Sequence, residues 1–107
     1  MHIPPREATE RITVHIDRDF ESMVPTFLSN RKKDVQTLRH ALNGKDFSTI
    51  RMLGHRMKGD GGGYGFDQIS EIGDAMERAA IQQDHAAAEH HIVQLEDFLA
   101  RLQVEYR

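Results

Sequence analysis

Ile12, Val14 and Ile16 alternate with Thr13 and His15, a period of two that predicts a short extended segment. Beyond it the apolar spacing becomes that of a helix. Asp17 is a good N-cap ahead of Asp19, Phe20 and Glu21 and predicts a short helix over 18–24. Pro25 has no N–H to contribute and fits the first turn of a second helix, expected over 25–42. Phe27, Leu28, Val35, Leu38 and Leu42 form its apolar stripe, with Arg31, Lys32, Lys33 and Asp34 on its solvated side and Asn43-Gly44 as its stop. A third helix is expected from near Asp46 to Gly61 or Gly62, with Phe47, Ile50, Leu53, Gly54, Met57 and Gly61 facing inward. The glycines from Gly61 to Gly65 are costly inside a helix and suit a tight reversal. Asp67 lies at the start of the fourth helix, which turns Ile69, Ile72, Gly73, Met76 and Ala80 inward and ends near Gln82-Gln83. Asp84 caps the last helix, expected over 84–104, with Ala88, His91, Ile92, Leu95, Phe98, Leu99 and Leu102 as its stripe. Connections this short make neighbours antiparallel. The expected fold is therefore all-α, an antiparallel up-down four-helix bundle with a short extra N-terminal helix. A polar, Pro-containing tail over 1–13 precedes the bundle domain over 14–107.

The third helix has a second face. At about 100° per residue, Arg51, His55, Lys58, Gly59 and Gly62 fall together, roughly 130° from the apolar side. His55 and Lys58 are three residues apart and share that face. An exposed imidazole beside a cation, flanked by glycines instead of bulky side chains, makes a poor core and a plausible dock for something that brings a phosphate.

Composition narrows the field. The net charge of −3, with a pI near 6.1, argues against a nucleic-acid binder. There is no cysteine, hence no disulfide framework and no thiolate chemistry. No apolar run reaches the length of a membrane span, and Met1-His2-Ile3-Pro4-Pro5 is no secretory core, so a cytoplasmic monomer is expected. Gly61-Gly62-Gly63 is not a phosphate-binding P-loop, because no strand precedes it and no Gly-Lys-Ser/Thr follows. With no nucleotide-binding segment, the chain is not expected to be a kinase. His85, His90 and His91 raise the question of a metal. His91 lies on the apolar stripe, His90 points elsewhere, and no Glu-x-x-His motif answers from another helix, so no metal site is expected.

The run His55-Arg56-Met57-Lys58-Gly59, then a Gly-rich turn with Gly65, then a helix containing Ala75-Met76-Glu77, resembles the histidine-containing phosphotransfer (HPt) domain of two-component phosphorelays. Phe27 to Asp34 and Gly44-Lys45-Asp46-Phe47 also resemble that family, and the likeness covers nearly the whole chain from Val14. It implies a histidine phosphocarrier that passes a phosphoryl group between a receiver-domain aspartate and His55, without kinase activity of its own. Lys58 would offset charge on the transferring group. Glu77 occupies the position that faces the active histidine and would fix its tautomer. Gly59, Gly62 and Gly63 would let the receiver backbone approach, and Arg51 and Arg56 would steer its acidic rim. The resemblance implies no cofactor bound by this chain, with Mg²⁺ supplied by the receiver, and partners among response-regulator receivers and hybrid sensor histidine kinases. Asp60 departs from the small residue usual in the family and adds a negative charge between the two faces, which bears on partner choice. A helical adaptor or metal-binding bundle without phosphotransfer is the competing reading.

Overall fold

The computed structural model describes residues 10–107. Its order is strand β1 (Ile12–Ile16), a single 3-10 turn (Arg18–Phe20), helices α1 (Val24–Asn43), α2 (Phe47–Gly63), α3 (Asp67–Ile81) and α4 (His85–Arg101), and strand β2 (Leu102–Tyr106). Each helix packs on its sequence neighbour, and α4 closes the ring against α1. The four-helix bundle read from the stripes is therefore present. Leu38, Ile50, Met57, Ile69, Met76, Ala88, Ile92 and Leu95 meet at its centre, fully buried.

The three connections share one construction. After α1, the N–H of Lys45 donates to the carbonyl of Leu42, and that of Asp46 to the carbonyl of Ala41. Gly65 and Phe66 close the end of α2 in the same way onto Gly62 and Gly61, and Gln83 and Asp84 close α3 onto Ala80 and Ala79. This is the Schellman pattern, with the penultimate residue left-handed. Lys45 (φ 54°), Gly65 (φ 89°) and Gln83 (φ 53°) take that role. Gly44 was the expected stop after α1, but the left-handed residue is its neighbour Lys45. In each loop the last residue is also the N-cap of the next helix: Asp46, Phe66 and Asp84. Three-residue loops of this kind leave no slack, and that forces the antiparallel order.

Asp46 shows how such a cap holds. Its carboxylate accepts hydrogen bonds from the Thr49 hydroxyl (2.6 Å) and the Thr49 N–H (3.1 Å). The same bonds, the hydroxyl first, hold its pKa below the ordinary 3.8. A carboxylate with a lowered folded-state pKa adds stability that is full above the unfolded value and lost as pH falls through the folded one. Melting temperature followed from about pH 5 to about pH 2 should therefore drop below pH 3.8. Asp46→Asn keeps the cap acceptor but does not titrate, so it should drop less. Parallel curves for the two proteins would remove Asp46 from the account.

Three expectations need correction. The short helix over 18–24 is only a 3-10 turn, capped as expected by Asp17 accepting from the Asp19 N–H at 2.8 Å. The last helix stops at Arg101, and Leu102–Tyr106 is a strand paired in parallel with β1, with Ile12 opposite Leu102 and Ile16 opposite Tyr106. The bundle is thus mainly helical but carries a two-stranded sheet. Leu102, Val104 and Tyr106 alternate with Gln103 and Glu105, the same period of two as in β1, and helical spacing upstream masked it. Of the expected tail, residues 1–9 lie outside the described residues, while Ile12 and Thr13 belong to β1.

The third correction is Arg31, which was assigned to the wet side of α1. It is only 7% exposed. Its Nε donates to Asp34 Oδ2 at 2.9 Å, its guanidinium lies over the Phe27 ring at 4.8 Å, and its Nη1 is 3.8 Å from Asp60 Oδ2. A planar cation tolerates burial when an aromatic face and carboxylates replace its water. Burial pushes the Asp34 carboxyl above its ordinary range, against the opposing pull of Arg31. No helix among the described residues is long and apolar enough to cross a membrane.

Candidate functional site

The site is built where α2 and α3 come closest. A Cβ on Gly54 would lie 2.8 Å from both the Glu77 nitrogen and the Gly73 oxygen, and one on Gly73 would lie 2.7 Å from the Lys58 nitrogen. Only glycine at both positions allows this separation. One turn further on, the Ser70 hydroxyl donates to the Lys58 carbonyl (2.8 Å) and accepts from the Gly62 N–H (2.6 Å), stitching the glycine-rich last turn of α2 to α3. With the backbones this close, short acidic side chains on α3 reach residues on the outer face of α2.

His55 stands on that face with its side chain 74% exposed. Its Nδ1 is 2.9 Å from Oε2 of Glu77, whose side chain is 14% exposed. A carboxylate can only accept, so Nδ1 carries the proton and donates it. The neutral ring then keeps its lone pair on Nε2. Lys58 Nζ lies 3.1 Å from Asp74 Oδ1 and 4.0 Å from Glu77 Oε1. The other Asp74 oxygen is 3.1 Å from Nη2 of Arg78. These cations hold the Asp74 carboxyl below its ordinary range, chiefly through the hydrogen bond from Lys58, with partial desolvation opposing them. His55, Glu77, Lys58, Asp74 and Arg78 thus form one chain of alternating charge and hydrogen bonding around a free imidazole nitrogen.

Of the site residues read from the sequence, His55, Lys58 and Glu77 converge. Arg51 joins them, lining with Ser48, Met52, His55 and Glu77 a shallow concavity of about 390 Å³. Arg56 is exposed but faces α1, where its charge acts on Asp34. Gly59 and Gly63 border open space, with nothing within 4 Å of an added Cβ. Gly62 is partly taken up by α3, since its Cβ would meet the Ser70 hydroxyl at 3.3 Å. Asp60 reaches toward Arg31, which balances the charge that looked unpartnered in the sequence.

Sequence reasoning missed Asp74, Arg78 and Met52. Asp74 sits three residues before Glu77 and Arg78 four after Asp74, spacings that put them on one helix face. Met52 is a large apolar residue left about half exposed beside His55. Among the other histidines, His90 and His91 meet edge to face at 5.2 Å, and His91 Nδ1 is 2.7 Å from Gln94 Oε1. Among the described residues, no three His, Cys, Asp or Glu side chains gather as a metal-ligand group.

Compared with protein-family models, residues 22–105 match the Hpt domain. Comparison with curated proteins finds no match, and comparison with solved structures finds none.

Proposed function

We infer the function from one premise: the chain belongs to the Hpt-domain family. Hpt domains carry out histidine phosphotransfer in phosphorelays, as phosphocarriers and not as kinases. On that footing His55 is the phosphoacceptor, exchanging a phosphoryl group with the aspartate of a response-regulator receiver domain. The observation that carries this reading is the exposed His55 ring with its Nδ1 proton held by Glu77. That arrangement presents the Nε2 lone pair without further reorganisation.

In the transfer, the Nε2 lone pair forms a bond to phosphorus as the bond from phosphorus to the aspartyl oxygen breaks, its electron pair leaving on the receiver carboxylate. The Nδ1 proton stays in place, and the Glu77 carboxylate faces the cationic ring that results. Lys58 supplies positive charge to the phosphoryl oxygens. The carboxylates nearest His55 are already engaged by His55, Lys58 and Arg78, so Mg²⁺ is assigned to the receiver's acidic pocket. Arg51 adds a positive charge at the rim for steering. The partners are receivers, alone or within hybrid sensor kinases, and the domain acts as a cytoplasmic monomer.

Incubation with a phosphorylated receiver and Mg²⁺ tests the reading. The chain should acquire an acid-labile, base-stable phosphoramidate, and ATP alone should give none. Labelling by ATP alone would overturn the assignment.

The open surface at Gly59 gives a second check. Gly59→Gln places a long side chain where the receiver backbone is expected, on a Cβ that meets nothing within 4 Å in the free domain. Melting temperature should hold or rise, since glycine is a poor helix former. The transfer rate should fall by about tenfold, the effect of some 1.4 kcal/mol of lost docking. Unchanged transfer would place the dock elsewhere.

A further inference from the structure

We propose that Asp74 sets how far the phosphoryl equilibrium lies toward His55, by holding the Lys58 ammonium in competition with the phosphoryl group. The inference rests on the phosphocarrier reading above and assigns a positioning role to a residue that acts through Lys58.

The geometry is specific. Lys58 Nζ is closer to Asp74 (3.1 Å) than to Glu77 (4.0 Å), so its first partner is a carboxylate displaced along α3 from the one that touches His55. Asp74 does not depend on Lys58 alone, because its second oxygen is held by Arg78 at 3.1 Å. When Lys58 turns toward a phosphoryl group, Asp74 keeps one cation, and the exchange stays reversible. The carboxyl is held below its ordinary range, chiefly by the Lys58 hydrogen bond, which favours its ionised form as the partner of the ammonium.

The consequence follows from the charges on each side of the reaction. Before transfer, the receiver holds an acyl phosphate and the His55 ring is neutral. Afterwards, the receiver holds a free carboxylate, and His55 holds a cationic ring bonded to a dianionic phosphoryl group. Glu77 faces the ring cation and favours the product. Asp74 does the opposite twice: it must give up Lys58 for the phosphoryl group to be neutralised, and its own charge repels that group. Two carboxylates one helical turn apart therefore push the equilibrium in opposite directions. Asp74 keeps the phosphohistidine reactive enough to hand its phosphoryl group on.

The test uses the full chain and a receiver domain phosphorylated by a small acyl phosphate with Mg²⁺, the excess donor being removed before mixing. The label is then partitioned at equilibrium between receiver aspartate and His55. Asp74→Asn should shift the partition toward His55 by about two- to five-fold, the range of a half-exposed ion pair. Asp74→Ala should shift it the same way. Asp97→Asn, which removes an equivalent Arg-paired carboxylate on α4, should leave it unchanged. In a Lys58→Ala background the Asp74→Asn shift should shrink. A merely structural role for Asp74 would alter melting temperature and leave the partition where it was. An unchanged partition, a shift toward the receiver, or a shift equally large without Lys58 would each overturn the proposal. A wild-type chain that takes no label would overturn the phosphocarrier reading and this inference together, whereas normal transfer with an unmoved partition overturns the inference alone.

Discussion

His55→Gln is expected to abolish phosphoryl acceptance while leaving the bundle folded. The position is exposed, so the substitution removes no core contact, and glutamine is a better helix former than histidine. Its amide can donate to Glu77 as the Nδ1 proton does, which keeps that buried side of the carboxylate satisfied. What disappears is the nucleophilic lone pair, and an amide nitrogen offers none. Loss of a nucleophile typically reduces rates far more than loss of an auxiliary group, so acceptance from a phosphorylated receiver should fall by at least about 10³-fold. His40→Gln and His90→Gln, both at exposed helical positions, should accept as the wild type does. Circular dichroism establishes that each variant is folded, and mass spectrometry locates the phosphoryl group. Acceptance that persists in His55→Gln would end the assignment of this residue.

The largest effect on stability is expected from a single methyl group at Gly73. Its Cβ would lie 2.7 Å from the Lys58 nitrogen, 2.8 Å from the Gly54 oxygen and 2.8 Å from Met57 Cβ. Two of these are backbone atoms of a facing helix, which cannot turn aside as a flexible side chain would. Gly73→Ala therefore forces α3 away from α2 and should cost about 3 kcal/mol, the upper part of the range for overpacking. For a domain of this size that lowers the melting temperature by roughly 10–20 °C. Gly59→Ala is the control, since its Cβ meets nothing and the change should gain up to about 1 kcal/mol of helix propensity. Equal melting temperatures for Gly73→Ala and wild type would mean that the helices do not approach this closely. Separation of the helices also withdraws Glu77 and Asp74 from His55 and Lys58. At temperatures where the variant is still folded, transfer should slow as well.

That coupling explains which parts of the protein were readable in advance. The stripes of α1 to α4 were legible because burial of one face per helix leaves a period that survives in the sequence, and the caps Asp17 and Asp84 because their side chains have few other uses at those points. The triad of His55, Lys58 and Glu77 was legible through the spacing of the first two and a family pattern for the third. Gly54 and Gly73 were placed on apolar faces, but nothing in a hydrophobic pattern says that two such glycines lie against each other. Arg31 misled because charge alone was read. Its burial depends on Phe27 one turn before it, Asp34 one turn after, and Asp60 on another helix. Asp74 carries no signal of its own in the sequence, because an acidic residue on a helix is usually solvated and its partner Lys58 lies across the interface. The strand β2 was hidden by position, since its partner lies at the far end of the chain and no local signal names a parallel neighbour.

The parallel pairing of β1 with β2 has a mechanical side. The strands run in the same direction, and each leads toward an opposite end of the described chain, with Arg18 N–H to Arg107 and Arg107 N–H to Ile16 extending the ladder by further bonds at 3.0 Å. Tension that draws the two ends apart therefore pulls β1 backward and β2 forward along a common axis. The ladder is loaded in shear, and its hydrogen bonds must yield nearly together. Had the strands been antiparallel, the same tension would have opened the bonds one at a time like a zipper. A clamp of this kind shields the four helices, joined in series behind it, from force applied at either end, so that the geometry around His55 is felt only after the sheet has slipped.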